Sequence, residues 1–234
     1  MSGAARQTRL TGIPGPDAPL RLAVFDCDGT LVDGQADICA AMAAAFTGLG
    51  VAAPDDSRIR RAVGLSLPQA MRLLMPDAEP MLHTALVEAY KAAFRLARAE
   101  GRLAEPLFPG IAAAIARLRA AGWDLAVATG KSHRGLTHCL AVHGLSDAFA
   151  SLQTADHHPS KPHPAMLFAA LDATLATPEQ AVMIGDTAYD IQMARAAGVA
   201  AIGVAWGYHT PAELRAAGAL AVAENAAELV EMLG

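Results

Sequence analysis

Two aspartates, Asp26 and Asp28, directly follow the apolar run at residues 22–25. A short apolar run of this kind is typical of a buried strand, and open α/β sheets bind ligands at the carboxyl ends of their strands. An unpaired carboxylate out of water is costly, so a metal ion at this point would account for both acids. Gly29 can adopt a positive φ, which lets the chain turn and direct the two carboxylates towards one point. The alternative is a strand that ends in an ordinary Asp-Gly turn.

Two more apolar runs also end in polar residues. Residues 125–128 lead into Thr129 and Gly130, and residues 181–184 lead into Asp186, with Asp190 four positions later. If all three runs are parallel strands, their polar ends meet at one edge of the sheet.

Lysine is scarce in this chain, yet it occurs beside these segments. Only three of the eighteen basic residues are Lys, and two of them, Lys131 and Lys161, lie in the loops that follow the predicted strands. A compact ammonium suits a site that needs a point charge rather than a planar fork. The alternative is that both are surface lysines by chance.

Taken in order, these segments resemble the four signature motifs of the haloacid dehalogenase-like superfamily of phosphotransferases. The motifs are Asp-x-Asp-Gly-Thr at Asp26, a Thr after the second strand at Thr129, a Lys in a Pro-containing loop at Lys161, and Gly-Asp-x-x-x-Asp ending at Asp190. The first and fourth are specific, whereas a lone Thr-Gly is weak. The resemblance covers about residues 21–234 and implies a phosphoryl-transfer enzyme.

The spacing of the apolar segments predicts an α/β fold. Strand and helix patterns alternate after residue 106, which indicates a Rossmann-like parallel sheet core with helices on both faces. The stretch between strand 1 and the next strand near residue 124 is far longer than a crossover requires. We therefore predict a flexible N-terminal tail at 1–20, a catalytic core at 21–33 and 106–234, and a helical cap domain at 34–105. By resemblance, the cap closes over the site, excludes water and selects the substrate.

The resemblance implies a role for each motif residue. Asp26 is the nucleophile that forms an aspartyl-phosphate, and Asp28 is the general acid and then the general base. Thr129 and Gly130 bind phosphoryl oxygens, while Lys161 neutralises the nucleophile and the transferring group.

Mg²⁺ is the expected cofactor, because it prefers oxygen ligands and keeps several waters. The expected ligands are the carboxylates of Asp26 and Asp186 and the backbone carbonyl of Asp28, with Asp190 direct or through water.

Substrate choice is expected to lie in the cap. Arg60 and Arg61 precede Gly64 in a loop that resembles the specificity loop of phosphoglycolate phosphatase and β-phosphoglucomutase relatives. An inward arginine would suit a carboxylate, which makes 2-phosphoglycolate the candidate substrate. The alternative places both arginines on the solvent-exposed face of a helix.

Other functions are compatible with the same motifs. A phosphomutase of the β-phosphoglucomutase type differs only in what accepts the phosphoryl group from Asp26. A dehalogenase is disfavoured by the presence of Asp28, and a phosphonate hydrolase by the lack of a lysine early in the cap. A non-enzymatic binding protein would be favoured by a missing motif residue, and none is missing.

Composition limits the partners. The net charge of −5 and the pI near 5.9 argue against nucleic acid, and no apolar run approaches the roughly 20 residues of a membrane span. Three cysteines without metal-type spacing indicate a reducing compartment, so we expect a cytoplasmic protein. The expected partner is a small phosphorylated metabolite, and the sequence leaves the oligomeric state open.

Overall fold

A six-stranded parallel sheet organises the computed structural model, which describes residues 10–234. The strands are β1 (Leu22–Phe25), β2 (Asp124–Thr129), β3 (Ser151–Thr154), β4 (Ala181–Gly185), β5 (Ala200–Val204) and β6 (Ala221–Ala223), in the order β3-β2-β1-β4-β5-β6. Phe25 at the end of β1 pairs with Val127 of β2 and Ile184 of β4. The ends of these three strands therefore lie side by side, at the switch point of a doubly wound sheet.

Helices follow the strands and fill the stretch that the sequence assigns to an insertion. They are α1 (Gln35–Gly48), α2 (Asp56–Ala62), α3 (Leu67–Leu74), α4 (Pro80–Ala99), α5 (Ile111–Ala120), α6 (His133–Val142), α7 (Ala165–Thr174), α8 (Ala188–Ala196), α9 (Pro211–Ala217) and α10 (Ala226–Leu233), with a 3₁₀ turn at Pro178–Gln180. The α1–α4 insertion follows β1, and after it the chain alternates between helix and strand.

Alternation along the strands buries both faces of the sheet. Ala23 and Phe25 of β1 pack on one side with α5, α6 and α10, while Leu22 and Val24 pack on the other with α7, α8 and α9. A parallel sheet that is covered on both faces needs such continuous apolar strands. The predicted α/β fold is confirmed.

The four helices α1–α4 form a third apolar cluster of their own, which we call the cap cluster. It includes Phe46 of α1, Ile59 of α2, Met71 of α3 and Leu86 of α4, each at most 1% exposed. Among the helices of residues 10–234, α1 and α4 make the most extensive contact with each other. A helical cap after strand 1 is thus part of the fold.

Two segments differ from the sequence-based expectation. Residues 1–9 of the predicted tail lie outside the described residues, and in the remainder Leu10 and Ile13 pack against the sheet face that carries Phe25. Isolated apolar residues in a Gly/Pro-rich segment give no periodic signal, so the sequence did not show this packing. Helix α9 was also missed, although Thr210 and Glu213 form a capping box with Pro211 at its first position.

The cap cluster gives a direct stability test. We expect Phe46→Ala to lower the free energy of unfolding by about 3–5 kcal/mol, because it removes a buried ring and leaves a cavity. Leu49, at the end of the same helix and 42% exposed, is the matched control. Leu49→Ala should change the free energy of unfolding by no more than about 0.5 kcal/mol. Urea titrations of the two variants measure the difference, and equal losses would contradict the assigned packing.

Candidate active site

Four charged side chains are buried where β1 and β4 end. Asp26 follows β1, Asp186 follows β4, Asp190 lies in the first turn of α8, and Lys161 comes from the loop before α7. Each residue is at most 1% exposed. Thr129, the last residue of β2, is buried beside them. The structure therefore brings together five of the predicted site residues, whereas Asp28 lies apart from them.

Lys161 connects two of the carboxylates. Its Nζ lies 2.6 Å from Asp190 Oδ1 and 2.9 Å from Asp26 Oδ2. Burial alone would lower the pKa of Lys161, but the two carboxylates outweigh it and hold the pKa above its ordinary value. The ammonium therefore stays charged between Asp26 and Asp190.

Asp190 has both carboxylate oxygens engaged. Oδ1 accepts from Lys161, and Oδ2 accepts from the backbone N–H of Thr187 at 3.0 Å and from its hydroxyl at 2.7 Å. The Thr187 pairing is the capping box that begins α8. Asp190 thus fixes Lys161 to the start of this helix.

Asp186 is held by two loops. Oδ1 accepts from the Thr30 hydroxyl at 2.7 Å, and Oδ2 accepts from the backbone N–H of Tyr208 at 2.9 Å. Gly29 has φ +88°, and a Cβ on either Gly29 or Gly207 would overlap Asp186. Only glycine allows both loops to close on this carboxylate.

The buried acids fit a hard divalent cation. Asp26, Asp186 and Asp190 can each present an oxygen within 4.8 Å of the others. Burial, together with Asp190, raises the pKa of Asp26 to about 7 despite the opposing charge of Lys161, and burial also raises the pKa of Asp186. Three carboxylates face one ammonium, so a further positive charge would stabilise them in their ionised form. An all-oxygen donor set is what Mg²⁺ prefers.

One oxygen of Asp26 remains available for chemistry. Its Oδ1 accepts from the backbone N–H of Cys27 at 2.6 Å, whereas Oδ2 faces Lys161 at 2.9 Å without completing a well-aligned hydrogen bond. The Cys27 side chain lies in the apolar core, as the strand alternation predicted.

Asp28 lies in a separate environment. Its Oδ1 accepts from Lys131 Nζ at 2.8 Å, and the same ammonium reaches Glu105 Oε1 at 2.6 Å and lies 5.7 Å from the ring centre of Phe94. The side chain of Lys131 is only 8% exposed. Burial would lower its pKa, but Asp28, Cys27 and Glu105 hold the pKa well above its usual range.

From the sequence, Lys131 was either a site lysine or a surface lysine by chance. The structure buries it beside the cavity between Asp28 and Glu105, and the scarcity of lysine was the one signal that marked this residue.

The cap touches the core at the loop between α2 and α3. A Cβ on Gly130 would overlap the carbonyl oxygens of Gly64 and Leu65, and Gly64 has φ +91° beside Thr187. The backbone N–H of Ser66 donates to Ser160 Oγ at 2.8 Å. This loop therefore covers the second motif directly.

A cavity of about 560 Å³ lies between the cap and the core, with Asp26 and Asp28 in its wall. Gly64 lines it, but Arg60 and Arg61 do not. Arg60 Nε donates to the carbonyl of Asp56 on its own helix, and Arg61 pairs with Glu213 of α9 on the outside. The cavity is instead lined by residues of α4, which sequence reasoning passed over: Tyr90, Lys91, Phe94, Arg95 and Arg98.

Comparisons with known proteins identify the family of the chain. Residues 23–204 match the family model of the haloacid dehalogenase-like hydrolases. The chain is 38% identical over 215 residues to the "Probable phosphatase IndB" of Dickeya dadantii, covering 89% of this chain and 91% of that protein. It is 32% identical to a phosphoglycolate phosphatase of Cupriavidus necator, covering 92% and 94%.

The fold is also found among solved structures. A hydrolase from Pseudomonas syringae superposes with a TM-score of 0.81 at 24% identity, covering 91% of this chain and 97% of that chain. The matched residues include every motif residue of the site, from Asp26 to Asp190. The chain belongs to the haloacid dehalogenase-like hydrolases and is a phosphatase of that family.

Proposed function

We propose that the protein hydrolyses a small phosphate monoester, with Mg²⁺ as cofactor and an aspartyl-phosphate on Asp26 as the intermediate. The observation that carries this proposal is the separation of the two motif-one acids. Asp26 faces Lys161 in the buried cluster, and Asp28 faces Lys131 in the wall of the cavity. Two carboxylates in different environments are suited to two different roles. The relatives named phosphoglycolate phosphatase support 2-phosphoglycolate as the first substrate to test.

In the first step, an oxygen of Asp26 attacks phosphorus and the bond to the leaving oxygen breaks. Lys161 reduces the repulsion between the carboxylate and the phosphoryl dianion. The Thr129 hydroxyl and the Gly130 N–H donate to phosphoryl oxygens. Asp26, Asp186 and the Asp28 carbonyl, with Asp190 direct or through water, would hold Mg²⁺, which would supply further positive charge there.

Asp28 moves the protons. It donates one to the oxygen of the leaving alcohol, and then takes one from the water that attacks the aspartyl-phosphate, which releases inorganic phosphate and restores Asp26. The contact with Lys131 holds its carboxylate away from the buried cluster, so only its backbone carbonyl remains as a candidate metal ligand.

We also propose a cytoplasmic location. Cys27, Cys39 and Cys139 are all free thiols, as expected in a reducing compartment. Within residues 10–234, no helix has the length and apolar character needed to cross a bilayer.

Asp26→Asn tests the nucleophile. We expect phosphate release to fall by about 10³-fold or more, because the amide cannot attack phosphorus, while the fold is kept. Asp33→Asn, an exposed acid in the same loop, is the matched control and should retain activity. Turnover and thermal unfolding of both variants are measured together, and an active Asp26→Asn enzyme would refute the assignment.

Metal dependence is tested on a panel of esters that includes 2-phosphoglycolate and sugar phosphates. We expect the release of phosphate with Mg²⁺ and its loss with EDTA, because the acid cluster needs a cation to receive a dianion. Conversion of a sugar phosphate to its isomer without net phosphate release would instead support the phosphomutase. Phosphate release that is unchanged in EDTA would contradict the cofactor.

Lys131→Met tests the pairing of Lys131 with Asp28 and Glu105. We expect a loss of about 3 kcal/mol in the free energy of unfolding, because Asp28 and Glu105 are left close together without their shared cation. Adding Glu105→Gln should restore part of that loss, since it removes one of the two charges. Lys91→Met, at an exposed lysine, is the control in the same urea titrations. A Lys131→Met variant with an unchanged free energy of unfolding would contradict this arrangement.

A further inference from the structure

One face of α4 forms the cap wall of the cavity. Tyr90, Phe94 and Arg98 recur every four residues, so they lie along one side of this helix. The rings of Tyr90 and Phe94 stack with centroids 5.7 Å apart. The guanidinium carbon of Arg98 lies 5.8 Å from the Phe94 ring centre. All three side chains line the same cavity as Asp26 and Asp28.

Arg98 has the ring of Phe94 beside it but no anionic partner among residues 10–234. Its Nε is buried and has no hydrogen-bond acceptor, and no carboxylate within residues 10–234 lies within ion-pair distance of its guanidinium. Lys131, on the core side of the same cavity, is neutralised by Asp28 and Glu105. A buried donor that lacks an acceptor is costly, and a ligand in this cavity that brings an acceptor would satisfy it.

The other cations that line the cavity differ from Arg98, because each is either paired with a carboxylate or exposed to solvent. Lys91 is exposed and pairs with Glu88 on its own helix. Arg95 and Arg134 line the cavity but are exposed to solvent, where an unpaired guanidinium costs little. Arg98 is therefore the residue at which a charged ligand group gains most.

We propose that Arg98 determines specificity by binding an acidic group, in the first instance a carboxylate, on the leaving alcohol of the substrate. This inference rests on the proposed phosphatase function and adds a second anion to the substrate, opposite the phosphoryl group held at Asp26. The planar guanidinium can form two parallel hydrogen bonds with a carboxylate. A cavity of about 560 Å³ is large enough for an alcohol longer than glycolate.

The test uses a series of alkyl phosphates with a terminal carboxylate, from 2-phosphoglycolate to chains of six carbons. Each ester is compared with its own carboxyl methyl ester, which keeps the length and removes the charge. The readout is the ratio of the two kcat/KM values with Mg²⁺ present. For the wild-type enzyme we expect a ratio of roughly tenfold or more in favour of the acid at one or more chain lengths.

Three variants locate the source of the preference. Arg98→Met should bring the ratio close to one while the methyl esters are still hydrolysed, and Arg98→Lys should retain part of it, because the charge remains. Arg119→Met, at an exposed arginine of α5, is the matched control and should leave the ratio unchanged. Thermal unfolding checks that each variant is folded, and hydrolysis of the methyl esters checks that the catalytic residues are intact.

The outcomes separate the inference from the function on which it rests. A wild-type ratio near one at every length, or a ratio that survives Arg98→Met, would overturn the assignment of Arg98 alone. If the ratio is lost in Arg95→Met but kept in Arg98→Met, Arg95 and not Arg98 is the residue that prefers the acid, and the assignment of Arg98 is again overturned. Failure of the wild-type enzyme to release phosphate from any ester would overturn the proposed function, and this inference with it.

Discussion

The pairing of Lys161 with Asp26 and Asp190 is the interaction on which the rest of the site depends. These charges and Asp186 are removed from water, which would be prohibitive without partners. Each partner comes from a different segment of the core, so the cluster forms only when β1, β4 and the start of α8 are in place. With all three carboxylates ionised, the single ammonium of Lys161 leaves the cluster with a net charge of −2. The cluster is therefore suited to a divalent cation.

Each of the two lysines of the site pairs with a different acid of motif one. Lys161 holds Asp26 in the deepest part of the site, while Lys131 holds Asp28 at the cavity wall. Lys131 also contacts Glu105, where the chain returns from the cap, and Phe94 within the cap. The orientation of the proposed acid is thus linked to the position of the cap by direct contacts rather than by the sheet alone.

Local patterns accounted for the sheet and the motif residues, because a strand that ends in a polar group is visible in a short window. They could not find contacts between distant segments. Glu105 and Lys131 are 26 positions apart, and Arg61 meets Glu213 across 152 positions, on a helix that the sequence reasoning missed. The inward face of α4 depends on its packing against α1. For that reason the sequence favoured Arg60 and Arg61, which precede a recognisable loop, over Arg98, which follows no motif.

The cap joins the core through two connections that run side by side. The N–H of Asp33 donates to the carbonyl of Pro106 at 2.8 Å, and Val32 forms a bridge with Leu107. Any rotation of the cap about this pair would displace nearby contacts least and distant ones most. Glu105 adjoins the pair, so its contact with Lys131 would be disturbed less than the contact of the Gly64 loop with Gly130. A movement of this kind would open the site over the second motif while Asp28 stays paired with Lys131, and closure of the loop would exclude water.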